Sequence, residues 1–303
     1  MTANSFLDYA LSIQKIKKLE MPMPITKKLG MITPLLVGDD LSLKTTMSTP
    51  QTYDREICSL IFKHLLEWND GNEITKPKSY DEFVMNLSNI DKICLLFGIY
   101  QITYDSLGKR KFKCQEKNCK EELIMDIPLK ELVHDDSLTF WEEELPFNEF
   151  VYEFSIPYED HVYIFGTQIP SIYTHNQVLS FLSTDDIASR IENLGSLFSL
   201  PEQMTLLTKY IKIGHKDDDI NNYRQTNNIQ EILITFATTI SKKMQPEFFK
   251  NYNLKFGKYD PQFYINIVCP KCQKVQKRTV NIEIEFFRRS ILGESSGEGG
   301  EEI

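Results

Sequence analysis

The stretch VCPKCQK, Val268 to Lys274, sets Cys269 and Cys272 two residues apart around Pro270 and Lys271. A tight turn that offers two thiols in one direction is half of a metal site. The other half is FKCQEKNC, Phe112 to Cys119, which carries Cys114 and Cys119. Each pair follows a strand-like run containing an aromatic residue and precedes a returning run of polar and apolar alternation. Two such knuckles facing each other make a four-cysteine zinc ribbon, with sulfur about 2.3 Å from a tetrahedral ion. Zinc suits thiolates because it is borderline-soft and closed-shell and imposes no geometry of its own.

Buried apolar thiols are the competing explanation, since free cysteine is common in cores. Cys58 and Cys94 sit within apolar helical patterns and fit that role. Cys114, Cys119, Cys269 and Cys272 lie among Lys, Gln, Glu and Asn instead. A closed ribbon requires everything from Lys120 to Val268, about 150 residues, to leave the module and return. Loop-closure cost grows only logarithmically with length, and a folded insertion behaves as a short loop. Four thiolates leave no position for water or substrate, so the expected ion is a structural zinc without Lewis-acid chemistry.

Composition agrees with a globular chain of 303 residues: 41% hydrophobic, 25% charged and 12% aromatic. No apolar run approaches the roughly 20 residues of a membrane helix. The opening MTANSFLDYALSIQKIKKLE has no basic start followed by an apolar block. A cytoplasmic chain is therefore expected, in which paired cysteines point to metal rather than disulfides. Net charge is -9, and Glu294, Glu298, Glu301 and Glu302 crowd the last ten residues. No basic block for phosphate-backbone binding stands out along the sequence, which disfavours a nucleic-acid role.

Periodicity predicts a helix from about Thr52 to Trp68, with Tyr53, Ile57, Leu60, Ile61, His64 and Leu65 on one face. Ser79 and Glu82 form a capping box for a short helix. NIDKICLLFGIYQITY, from Asn89 to Tyr104, is apolar nearly all round and predicts a buried helix. EFVYEFSI and HVYIFGTQI predict a strand pair, and Thr174 to about Tyr252 predicts helices, PEQMTLLTKYIKI among them. The expected class is α+β: a mostly helical body with a small antiparallel zinc-ribbon-like β module built from two knuckles distant in sequence. The expected organisation is 1–110 N-terminal extension and helical region, 111–130 first knuckle, and 131–262 inserted strand pair and helical region. The second knuckle and C-terminal strand take 263–289, and 290–303 is a flexible acidic tail.

No catalytic residues emerge. His215 with Asp217, Asp218 and Asp219 lacks the glycine and glutamate of a calcium loop and predicts a solvated acidic turn. Glu142, Glu143 and Glu144 have no convergent His, Lys or nucleophile nearby; partner contact through Phe140, Trp141 and Phe147 is the secondary reading there. There is no nucleophile elbow, no phosphate-cradling glycine loop and no dinucleotide fingerprint. In EIEFFRRSILG, Phe286, Phe287, Arg288 and Arg289 form an amphipathic strip that either packs on its own domain or docks a neighbouring subunit.

Taken together, DKICLLFGIYQITYD, FKCQEKNC, the mostly helical middle and CPKCQKVQKRTVNIEIEFFRR resemble the baseplate hub subunit and hub assembly proteins of T-even-type contractile-tailed bacteriophages. The resemblance covers most of residues 91–289. It implies metal positions at Cys114, Cys119, Cys269 and Cys272 and a terminal aromatic pair at Phe286 and Phe287. The C-x4-C spacing of the first knuckle departs from the usual two-residue spacing. By implication the protein is a non-catalytic piece of a ring or plug, stabilised by metal. It would be assembled in the host cytoplasm and carried in the virion tail baseplate, contacting other baseplate or tail proteins. The alternative is a cytoplasmic zinc-ribbon adaptor or transcription-related binding protein.

Overall fold

A helix that is apolar on every side can be satisfied only at the centre of a fold. Asn89–Thr103, α3 in chain order, takes that place. Its buried residues run almost without interruption from Ile90 to Tyr100. The Ser88 hydroxyl caps its start by accepting from the Asp91 N–H at 2.9 Å. The computed structural model that shows this describes residues 17–36, 38–39, 50–69, 71, 73–134, 147–181, 198–282 and 284–285.

Around α3 lie α1 (Pro50–His64) and α2 (Tyr80–Asn86), together with an antiparallel sheet of β1 (Leu19–Met23), β2 (Lys28–Ile32), β3 (Leu65–Asn69) and β4 (Ile74–Thr75). The Ser79 hydroxyl caps α2 by accepting from the Glu82 N–H. Helix and sheet meet closely at Gly98, where a Cβ would stand 2.2 Å from Met21 Cγ. The same core receives a two-stranded sheet, β5 (Ser106–Lys113) with β6 (Glu122–Pro128). It also receives β12 (Phe263–Val268) and β13 (Val275–Val280), which share a sheet with β7 (Val133–His134). The Phe97 and Phe263 rings lie 4.4 Å apart, so the end of the chain returns to the core that its beginning started.

Between β7 and β12 the chain builds a second core. β8 (Tyr152–Tyr158), β9 (His161–Thr167), β10 (Thr208–His215) and β11 (Arg224–Thr226) form an antiparallel sheet. Its apolar face packs on α5 (Leu200–Leu206), α6 (Ile229–Thr238) and α7 (Met244–Phe256) through Phe154, Phe165, Ile211, Phe236 and Phe248. α4 (Ile172–Ser180) stands between the cores: Ile172 packs in the first, and Val178 and Leu179 pack with Phe198 and Leu206.

The expected mostly helical body is corrected by this arrangement. The described residues are 39% helical and 32% strand, in four small antiparallel sheets. Two segments account for much of the difference. Leu65–Asn69 continues the α1 pattern but pairs with β2, setting Trp68 opposite Gly30. Thr208–His215 continues the pattern of α5 but pairs with β9, setting Ile211 opposite Phe165. Short apolar runs do not distinguish strand from helix; the neighbouring strand does. The C-terminal strand expected within 263–289 stops at Val280, and the Glu285 N–H bonds the Asn281 carbonyl in a helical turn.

Three helices are joined by a buried ionic cluster. Lys92 Nζ on α3 donates to Asp54 Oδ1 on α1 at 2.8 Å, and His175 Nδ1 on α4 lies 3.0 Å from Asp54 Oδ2. All three side chains are buried. Burial works against the Asp54 carboxylate, but the charges of His175 and Lys92 outweigh it and hold its pKa well below the usual range. A depressed folded-state pKa contributes stability above the unfolded value of 3.8 and loses it as pH falls toward the folded pKa. Asp91 has the opposite sign. Burial raises it to about 6 against the N–H groups of Ile25 and Thr26, so its contribution to stability declines as pH rises from about 4 to 6. Asp54→Asn takes the carboxylate charge away from buried Lys92 and is expected to lose about 3–5 kcal/mol. The variant should also lose the part of the stability decline below pH 4 that Asp54 causes; unchanged urea midpoints from pH 3 to 7 would refute both points.

Candidate metal centre

The two cysteine turns are built alike despite their different spacing. β5 ends at Lys113 and β6 begins at Glu122; across the turn the Cys114 N–H donates to the Glu121 carbonyl at 2.7 Å. β12 ends at Val268 and β13 begins at Val275; there the Cys269 N–H donates to the Lys274 carbonyl at 3.0 Å. The residue after the second cysteine is left-handed in both, Lys120 at φ 50° and Gln273 at φ 60°. That conformation turns the chain back and leaves both sulfurs on one side. The two extra residues of the first knuckle are taken up in a local turn, in which the Cys119 N–H reaches the Glu116 carbonyl at 2.9 Å.

The structure brings all four expected ligands together. Cys114 Sγ lies 3.7 Å from Cys272 Sγ, and Cys119 Sγ lies 3.6 Å from Cys269 Sγ. All four sulfurs fall within 4.8 Å of one another. A tetrahedron with sulfur about 2.3 Å from its centre has edges of about 3.8 Å, so these separations suit a shared ion. A disulfide needs about 2.0 Å, and all four cysteines are free. Among the described residues no other group of three or more His, Cys, Asp or Glu side chains converges in this way.

Polar groups surround the sulfurs. Cys114 and Cys269 are buried, whereas Cys119 and Cys272 are half-buried. The Cys272 N–H, and after it the Lys271 N–H, favour the Cys269 thiolate and bring its pKa down to about 7 against burial. The Glu121 N–H favours the Cys119 thiolate, but burial and the neighbouring thiols outweigh it and push the group up to about 12. Cys272 is raised in the same manner against the Lys274 N–H. The knuckles also touch through Lys274–Glu116 at 2.6 Å and Lys271–Glu121 at 3.3 Å, exposed pairs worth at most about 1 kcal/mol each. Deeper in, Arg110 Nε on β5 donates to Glu285 Oε2 at 2.8 Å, and the Tyr100 hydroxyl donates to the Glu285 carbonyl at 3.1 Å.

Cys58 and Cys94 are fully buried in the first core, away from this group. His215 ends β10 opposite His161, and Asp217 to Asp219 lie exposed on the turn after it. Phe147 packs against the cluster of Ile25, Ile90 and Tyr259. Phe140, Trp141, Phe286, Phe287, Arg288 and Arg289 lie outside the described residues, as does the acidic tail. Sequence reasoning missed Gln276 and Arg278 as neighbours of the sulfurs. The alternation of VQKRTV, which turns both inward beside Val280, was the available signal.

Left-handed backbone at an L-residue costs about 1–2 kcal/mol. Lys120 is exposed, so Lys120→Gly is expected to raise stability by about 0.5–1 kcal/mol after the entropy cost of glycine. A lowered urea midpoint would count against the knuckle geometry. No family model, curated protein or solved structure matches the chain.

Proposed function

We propose that this chain is a non-catalytic structural protein in which Cys114, Cys119, Cys269 and Cys272 hold one zinc ion as thiolates. One observation carries the reading: thiols from two hairpins 150 residues apart converge to within 4.8 Å of one another. Even a fully flexible connection of that length would cost only roughly 4 kcal/mol to close, whereas structural zinc in small peptides contributes about 10–16 kcal/mol. Zinc binding therefore exceeds the closure cost, and the surface ion pairs do not. A set closed by four sulfurs supports a structural rather than a catalytic ion.

The setting we propose is a phage tail baseplate hub. Its support is the resemblance of residues 91–289, which includes the buried helix and both knuckles. In that setting the metal locks the protomer so that its outer surfaces are presented rigidly to neighbouring tail proteins. A second reading, a zinc-ribbon adaptor for a polyanionic partner, is favoured by a different observation. The hairpins 106–128 and 263–280 together hold ten Lys and Arg against four Asp and Glu, in a chain of net charge -9. Folding thus gathers basic residues that look dispersed along the sequence.

The purified chain is expected to contain one zinc and to be colourless, since four-sulfur iron sites absorb visible light. Cys272→Ser should lower the zinc content and the thermal midpoint together. A wild-type content far below one metal per chain removes the centre. To separate the two settings, tail particles and duplex DNA are the probes. A cryo-EM map with this chain in the tail hub supports the first. DNA binding at low salt that weakens steeply with added salt, together with absence from tails, supports the second.

A further inference from the structure

We infer that Gln276 is the positioning residue of the metal centre, its side-chain amide clasping the first knuckle to the second and orienting the Cys114 sulfur as a metal donor. This goes deeper into the metal centre proposed above and rests on that reading. The alternation of β13 puts Gln276, Arg278 and Val280 on the inner face and Val275, Lys277 and Thr279 outside. Gln276 is 8% exposed, and its Nε2 lies 2.8 Å from Cys114 Sγ.

The other end of the amide fixes its orientation. Gln276 Oε1 accepts from the Gln115 N–H at 3.0 Å and from Arg278 Nη2 at 3.3 Å. Both neighbours are donors, so the oxygen must face them and the NH2 must face sulfur. Arg278 Nη2 also donates to the Lys113 carbonyl. Two inward residues of the second hairpin therefore grip three consecutive residues of the first: Lys113 by its carbonyl, Cys114 by its sulfur and Gln115 by its N–H. An N–H aimed at sulfur fixes the direction of that sulfur and offsets part of the charge it carries once a metal is bound. The grip also sets the register of the two knuckles independently of the ion. Outer groups of this kind typically change metal affinity by about 10- to 100-fold when removed.

The test is a titration of the purified full-length chain with Co2+, a spectroscopic substitute for Zn2+, in wild type, Gln276→Leu and Gln276→Glu. The expected result is a 10- to 100-fold weaker affinity for the leucine variant. The loss should be larger for glutamate, whose carboxylate faces the thiolate. Both should move the sulfur-to-cobalt charge-transfer band to lower energy, because a sulfur without its N–H donor gives up charge more readily. A residue that merely filled space would leave that band in place. Affinities within twofold of wild type with an unmoved band overturn the inference while leaving the metal centre standing. A wild type that binds neither Co2+ nor Zn2+ overturns both. Should the leucine variant not fold, the near-isosteric glutamate, which can still accept from Gln115, carries the test alone.

Discussion

Convergence of four thiols from two hairpins is the constraint on which the rest of the structure depends. Cys114 and Cys119 close one hairpin, Cys269 and Cys272 close the other, and their sulfurs lie within 4.8 Å of one another. For that to happen the intervening chain must leave the first core, complete a second and come back. The second core, built on Phe154, Phe165, Phe236 and Phe248, has its own sheet and its own helices. The return is made by Phe263, Ile265 and Ile267, which pack into the first core on the inner face of β12. Apolar burial brings the hairpins into range, and a bound ion adds directional bonds that apolar contact lacks.

Stability is spread unevenly between these devices. The helix Asn89–Thr103 contributes by burying nearly every side, and Gly98 allows the Met21 strand to approach closely. The cluster of Asp54, Lys92 and His175 works differently. It fixes the angles at which three helices meet, because a buried charge tolerates only the geometry that satisfies it. Arg110 and Glu285 do the same for the chain that follows β13, close to the metal module. Specific polar contacts thus lie where separate parts of the chain must meet in one arrangement.

The module has an outward chemistry as well. Arg110 is buried against Glu285, and Arg278 is committed to Lys113 and Gln276, so the exposed basic groups of the hairpins are lysines. Exposed apolar side chains lie on the same hairpins, Ile124 at 71%, Val275 at 66% and Val268 at 53%. Lysine mixed with small apolar groups and glutamates suits contact with a protein surface more than stacking on bases, for which the Tyr264 ring is already covered by Lys277 at 3.7 Å. This surface chemistry supports the assembly reading.

Local chemistry made much of this legible in advance. Ser79 with Glu82 marked a helix start, an apolar run without a polar face marked the central helix, and cysteines among polar residues marked two turns that belong together. Each signal depends only on residues within a few positions, which is why sequence alone determined it. Tertiary structure decided what such signals cannot encode. Leu65–Asn69 and Thr208–His215 become strands because β2 and β9 lie beside them with unpaired backbone groups, and the partner is distant in the chain. Gln276 reaches Cys114 for the same reason: alternation shows that a side chain points inward, but only the packed fold determines what it meets there.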